Sequence, residues 1–280
     1  MSLEVVVAVR MPSMHLESFI QKLLELPDKV RVNIVLDHFS CADADTCMVP
    51  KNTTEVRFWH GSFGSPGPAR NFGLEKSKSE YIMFWDVDDN PNVKNLSEVI
   101  RYMNLTLADV GIGNWSSESK SFDLSRLDNT PFPVAKNPGL WRIIFRKQMI
   151  GDTRFHKWKW GEDQLFIAQI FEKQPLVISL PFHIYEYREH TQGSLTSDKT
   201  NFIELFEAFK EMSPLYGESS TICKTVVNHM FLRQYLTLLK YGSFRIRTKA
   251  TMALASTLIR RKGFFPLQDL RKLKGANWRD

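Results

Sequence analysis

The stretch Tyr81-Ile82-Met83-Phe84-Trp85-Asp86-Val87-Asp88-Asp89 decides how this chain is read. Its apolar run has the length and character of a strand buried on both faces. Carboxylates follow at once, so the strand empties into hard oxygen ligands at its C-terminal end, where open α/β sheets bind their ligands. A metal-and-phosphate site fits that placement. A polar turn capping the next helix explains an aspartate cluster taken alone.

Two flanking segments narrow the choice. Upstream, Gly67-Pro68-Ala69-Arg70-Asn71-Phe72-Gly73 sets a proline at a first helical turn and an arginine just inside it. A guanidinium and a helix dipole there attract a diphosphate together, although an isolated arginine more often pairs with a nearby acid. Downstream, Trp160-Gly161-Glu162-Asp163-Gln164-Leu165-Phe166 opens another helix with two acids in its first turn. Such acids are ordinary dipole partners or catalytic carboxylates.

Working outward, Glu4–Arg10, Val30–Leu36 and Val56–Trp59 read as further strands. A helical period runs from Leu16 to Leu24 and stops at Pro27, and another helix begins near Pro68. Beyond the aspartates, Leu96–Leu107 reads as a helix, Val110–Gly113 as a strand, and residues 116–138 as a long surface excursion. Leu140–Phe145 reads as a strand, Asp163–Lys173 as a helix, and Leu176–Leu180 with His183–Tyr187 as a late pair of strands. The expected fold is α/β, a mostly parallel sheet flanked by helices. After about residue 195 the pattern turns helical, with candidates at 201–212, 222–239 and 248–262. A catalytic domain over 1–195 and a helical, basic C-terminal subdomain over 196–280 are expected.

With 280 residues, 43% hydrophobic and 24% charged, the chain has enough apolar content for a large core. No run approaches the roughly 18 apolar residues of a membrane-spanning helix, and the N-terminus lacks a basic patch followed by an apolar core. A cytoplasmic location is the expectation. The three cysteines, Cys41, Cys47 and Cys223, match no metal-ligand spacing and are odd in number, against a disulfide framework or a zinc site. The net charge of +6 is uneven: residues 240–280 hold 11 Lys or Arg against 2 Asp or Glu, a net of +9, which leaves −3 for residues 1–239. That balance argues against a nucleic-acid surface on the main body.

The aspartate cluster, the Ala-Arg-Asn-x-Gly segment and the Glu162-Asp163 pair together resemble the family 2 glycosyltransferases of the GT-A fold, over about residues 4–195. The resemblance implies an inverting enzyme that moves a sugar from a nucleotide-diphosphate donor, expected to be UDP-linked, to a glycan or lipid-linked glycan hydroxyl. It implies Mn²⁺ or Mg²⁺, because the departing diphosphate gains charge that a divalent cation neutralises. Asp88 is then the metal ligand, with His190 completing the shell, Asp86 meets the donor ribose, and Asp89 supports the donor site. Arg70 and Arg188 are placed on the diphosphate and Val9, near the end of the first strand, on the donor. Asp37 accepts from the N3–H of uracil; the family commonly has a second aspartate after it, where this chain has His38.

Asp163 is the implied general base, since a sugar hydroxyl is a very weak acid, and Glu162 orients it or binds acceptor. Trp158 and Trp160 suit an apolar platform for an acceptor ring, or serve as core anchors. The Gln-x-x-Arg-Trp motif of processive relatives is absent, so single addition is expected.

Two other classes fit parts of the chain. Asp-x-Asp after a strand also occurs in haloacid-dehalogenase-like phosphatases, where Asp86 would be the nucleophile. There the motif lies on the first strand and ends in Thr or Val, whereas residue 90 is Asn and the strand is about the fourth. The tail sets Arg245, Arg247, Lys249, Arg260, Arg261 and Lys262 beside Met252, Leu254, Leu258, Ile259, Phe264 and Phe265. It reads as a basic module for nucleic acid or an anionic membrane, or as the solvated face of a packed helix.

Overall fold

The strand β1 (Leu3–Arg10) lies inside the sheet, with Val5, Val6 and Val7 all fully buried. That explains its unbroken valine run: a strand covered on both faces has no solvent side to alternate towards. The computed structural model describes residues 2–38, 56–119, 121–122, 134, 137–189, 202–218 and 221–261. They belong to two compact units. The first comprises Met1–Asn129, Gly139–Lys157 and Leu176–Gln192, and the second Thr130–Pro138, Trp158–Pro175 and Gly193–Asp280.

In the first unit, β2 (Val30–Asp37) and β4 (Tyr81–Asp86) flank β1 in parallel, and β3 (Val56–Gly61) adds in parallel outside β2. The register pairs Arg10 with Asp37 and Ala8 with Asp86, so β2 and β4 deliver both aspartates to the same edge of the sheet. The sheet continues from β4 to β8 (Ile143–Arg146), β6 (Val110–Ser117), β9 (Val177–Tyr187) and β5 (Asn90–Pro91), with β7 (Ser121–Phe122) on β6. β8 is antiparallel to β4 and β6, β9 is parallel to β6, and β5 is antiparallel to β9. The helices of this unit are α1 (Leu16–Lys22), α2 (Pro66–Lys76), α3 (Leu96–Thr106) and the short α4 (Lys147–Ile150).

The α/β, mostly parallel expectation is borne out. Two local readings change. Leu140–Arg142 is a 3₁₀ turn that feeds β8, so the strand there is shorter than expected. The late pair of strands is one strand, β9, whose register against β6 shifts between Ile112 and Asn114. Pro181 sits in that irregularity, where a residue with no N–H to give the ladder is tolerated, and it breaks the alternation that would mark one strand.

A buried carboxylate fixes the entry to β4. Glu4, 1% exposed, accepts from the Asn33 amide at 3.4 Å, from the Ser79 N–H at 2.6 Å and from the Lys78 N–H. The chain from α2 into β4 is thereby tied to β1 and β2.

The second unit is helical: α5 (Glu162–Glu172), α6 (Phe202–Met212), α7 (Ile222–Tyr241) and α8 (Phe244–Arg260). Leu165, Phe166, Ile170 and Phe171 of α5 are fully buried, and Phe209 of α6 stacks on Phe231 of α7 at 4.4 Å. The Ser213 and Thr257 hydroxyls meet at 2.7 Å and join α8 to the turn after α6. The expected division near 195–200 lies outside the described residues.

Candidate active site

β4 ends at Asp86, whose carboxylate accepts from the Arg70 guanidinium at 2.9 Å. Arg70 is 7% exposed and lies over the Phe155 ring, 5.6 Å from its centroid. The start of α2 is fixed to residues 155–157. Ser65 donates its hydroxyl to the Lys157 carbonyl at 2.8 Å, while the Asn71 amide donates to the Phe155 carbonyl at 2.8 Å and accepts from its N–H at 2.9 Å. A Cβ on Gly67 would stand 1.9 Å from the His156 carbonyl oxygen, so this approach admits only glycine. Burial raises the Asp86 carboxyl above its ordinary value; Arg70 opposes that and Asp88 adds to it.

The consecutive acids then divide. Asp88 is half-buried and has no hydrogen bond or ion pair among the described residues. Asp89 turns inward and is 1% exposed. It accepts from the Tyr185 hydroxyl at 2.8 Å and from the Arg188 N–H at 2.9 Å, which pins the end of β9 to the aspartate turn. Burial, then the Asp86 charge, push the Asp89 carboxyl up to about 8. Asp86 and Asp88 are thus the carboxylates left to face a ligand. Their oxygens suit a hard divalent cation whose remaining ligands are phosphate and water, the usual arrangement for Mg²⁺. His190 lies outside the described residues.

Asp37 closes β2, and both its oxygens hold the turn after β3, accepting from the Phe63 N–H at 2.7 Å and the Gly64 N–H at 2.9 Å. His38, next in the chain, meets His60 with ring nitrogens 3.0 Å apart. Val9 is 1% exposed and packs in the core, so its side chain faces apolar neighbours. Arg188 follows β9, with its backbone on Asp89.

Sequence reasoning missed three further groups of this unit. Tyr185 bridges Asp86 and Asp89, accepting from the Asp86 N–H at 3.2 Å. The Tyr187 phenol is pushed up to about 12, first by burial and then by Asp89, Asp86 and Asp88, which places it beside all three acids. Lys22, at the end of α1, donates to the Asp89 carbonyl at 2.8 Å, and burial followed by Arg188 lowers its ammonium. The alternate tyrosines of β9 were the available signal for two of them.

In the second unit, α5 starts at Gly161, held at φ +82°, where a Cβ would stand 2.8 Å from the Cβ of Ala208. Glu162 is 5% exposed, and Asp163 accepts from the Gln164 N–H at 2.7 Å. The Gln234 amide donates to the Gln164 side chain at 3.2 Å and so registers α7 on α5. Arg233, the preceding residue on α7, feels Asp163 directly: burial lowers its guanidinium and the Asp163 charge raises it. Trp160 meets Phe202 edge to face at 5.0 Å and, like Trp158, is half-buried.

A mostly parallel sheet that brings Asp37 and Asp86 to one edge, with Arg70 at a helix start beside them, has the arrangement of a GT-A fold. The model of Glycosyl transferase family 2 matches residues 15–171, more than half of the chain, and the chain belongs to that family of sugar-transferring enzymes. It is 22% identical over 196 residues to the GalNAc(5)-diNAcBac-PP-undecaprenol beta-1,3-glucosyltransferase of Campylobacter jejuni, covering 65% of this chain and 63% of the relative. The chain therefore spans just under two thirds of that relative. It is 25% identical over 234 residues to the poly(ribitol-phosphate) beta-N-acetylglucosaminyltransferase TarP of Staphylococcus aureus, covering 75% of this chain and 70% of TarP.

Two solved structures share the fold. Residues 1–349 of S. aureus TarS in complex with UDP-GlcNAc superpose with a TM-score of 0.71 at 17% identity, covering 92% of this chain and 81% of that one. The mannosyltransferase PcManGT of Pyrobaculum calidifontis, in complex with GDP-Man and Mn²⁺, gives 0.59 at 13% identity over 98% and 78%. The family match sets aside the phosphatase and the non-enzymatic readings.

Proposed function

We propose that the chain is an inverting glycosyltransferase that takes a sugar from a UDP-linked donor and adds it to a hydroxyl of a glycan or lipid-linked glycan. The single observation that carries this reading is the division of the aspartates. Among the described residues Asp88 has no hydrogen bond or ion pair, while Asp89 and Tyr185 hold the turn that presents it. The structures of TarS with UDP-GlcNAc and of PcManGT with Mn²⁺ support a nucleotide-sugar donor and a divalent cation.

Asp88, with the open side of Asp86, would hold the cation, and His190 is the proposed third protein ligand. When bound, Mn²⁺ or Mg²⁺ neutralises charge that develops on the diphosphate leaving group. Arg70 adds a fixed positive charge at the start of α2, and Arg188 supplies a second. Asp37 is proposed as the nucleobase acceptor and Asp86 as the ribose contact. Asp89 acts by holding the turn on which Asp88 stands.

Asp163 is the proposed base. It receives the acceptor hydroxyl's proton as that oxygen attacks the anomeric carbon opposite the diphosphate, so the configuration inverts. Glu162 and the half-buried Trp158 and Trp160 are its proposed neighbours on the acceptor. The undecaprenol-linked and polymer acceptors named for the relatives support an acceptor of the cell envelope.

Titration calorimetry with UDP, with and without Mn²⁺, tests the donor half. UDP binding strengthened by Mn²⁺, with the gain lost in Asp88→Asn, is expected. Equal binding by wild type and Asp88→Asn in the presence of Mn²⁺ contradicts it.

A further inference from the structure

We propose that the outer face of α8 docks this protein on the surface of an anionic lipid bilayer. Phe244, Thr248, Met252, Ala255 and Ile259 recur at helical spacing and share one face. Its large members are 86%, 68% and 78% exposed at Phe244, Met252 and Ile259. The opposite face carries Ala250, Leu254 and Thr257, which are buried. α8 is therefore apolar on two sides, and its packing within the unit accounts for only one. Leu254, close to Met252 and Ile259 in sequence, points inward at 7% exposure.

Charge selects the occupant. Arg245 and Lys249 are exposed along one margin of the stripe, the Lys249 ammonium 5.9 Å from the Phe206 ring centroid, and the sequence holds no Asp or Glu between Glu218 and Asp269. Other cations nearby have structural work: Arg247 donates to the Gly242 carbonyl at 2.7 Å, and Arg260 to the Ser213 hydroxyl at 3.2 Å. Lys240 lies 4.8 Å from the ring centroid of Tyr241, which is 57% exposed just before α8. Apolar side chains bordered by cations, with an aromatic at the margin, match the boundary between lipid headgroups and acyl chains. A nucleic acid would pair with the cations and leave Phe244, Met252 and Ile259 in water. A second copy would bring two acid-free faces together and repel.

The test is co-sedimentation of the full chain with phosphatidylcholine vesicles, made with and without phosphatidylglycerol. Binding to the anionic vesicles that weakens with added salt is expected. The variant Phe244→Ser/Met252→Ser/Ile259→Ser should bind about tenfold more weakly, and Arg245→Ser or Lys249→Ser each about fivefold more weakly. Phe244, Arg245, Met252 and Ile259 are solvent-facing, so unchanged circular dichroism and melting will accompany the loss in the triple variant and in Arg245→Ser. The triple variant should also keep wild-type UDP binding, which separates this proposal from the transferase reading.

Equal vesicle binding by wild type and the triple variant overturns the proposal. So does binding to RNA without vesicle binding, or a dimer that the triple variant dissociates.

Discussion

Tyr185 donates its hydroxyl to the Asp89 carboxylate at 2.8 Å, and both groups are almost wholly buried. The same oxygen receives the Asp86 N–H, so one phenol fixes the turn from both ends. Tyr185→Phe keeps the ring's packing on Trp141, 4.6 Å away, and removes only these bonds. A loss of about 1–3 kcal/mol in urea unfolding is expected, because a buried carboxylate and a backbone N–H each lose a partner. A variant as stable as wild type would show that the turn holds without the phenol.

The raised Asp89 carboxyl predicts a pH dependence in cation-free buffer. Its folded value of about 8 exceeds the ordinary 3.8, so the folded protein binds this proton more tightly than the unfolded chain. That contribution to stability is complete below about pH 4 and is lost as the pH rises towards 8. Urea midpoints measured across this range should fall with pH in the wild type and flatten in Asp89→Asn.

Arg70 and Asp86 predict a different pattern. The pair is part-exposed on the Asp86 side, so Arg70→Ala should cost only about 1 kcal/mol of stability. Its larger effect should be on UDP, with affinity at least about tenfold lower, the weight of a lost charge-assisted bond. Calorimetry and urea unfolding on one preparation separate the two effects.

Gly67 is a packing prediction. Any Cβ there meets the His156 carbonyl, and backbone is the neighbour least able to yield. Gly67→Ala should lower stability by about 1–3 kcal/mol and weaken UDP binding through displacement of Arg70. Unchanged melting would mean that α2 starts differently from the structure.

Much of this was legible in the sequence because strand ends and helix starts carry local signals. The run Tyr81–Trp85 marked β4, and Pro68 with Arg70 marked α2. What escaped depends on direction or on distant partners. Consecutive acids look alike in sequence, yet Asp88 faces out and Asp89 faces in because Tyr185 and Arg188 wait for it. Tyr185 itself was obscured by Pro181, which split β9 in two. α8 was expected to start at 248, although Ser243, whose hydroxyl accepts from the Ile246 N–H, caps it earlier and brings Phe244 onto the exposed face. Arg233 had no local signal: only the packing of α7 on α5 brings it to Asp163.

The role of Asp163 is the claim on which the catalytic account turns. Steady-state transfer by Asp163→Asn, with UDP-sugar affinity measured on the same protein, tests it most directly. A kcat lower by about 10²–10⁴-fold with donor affinity within about twofold of wild type is the predicted result. An Asp163→Asn enzyme that transfers sugar at the wild-type rate would contradict it.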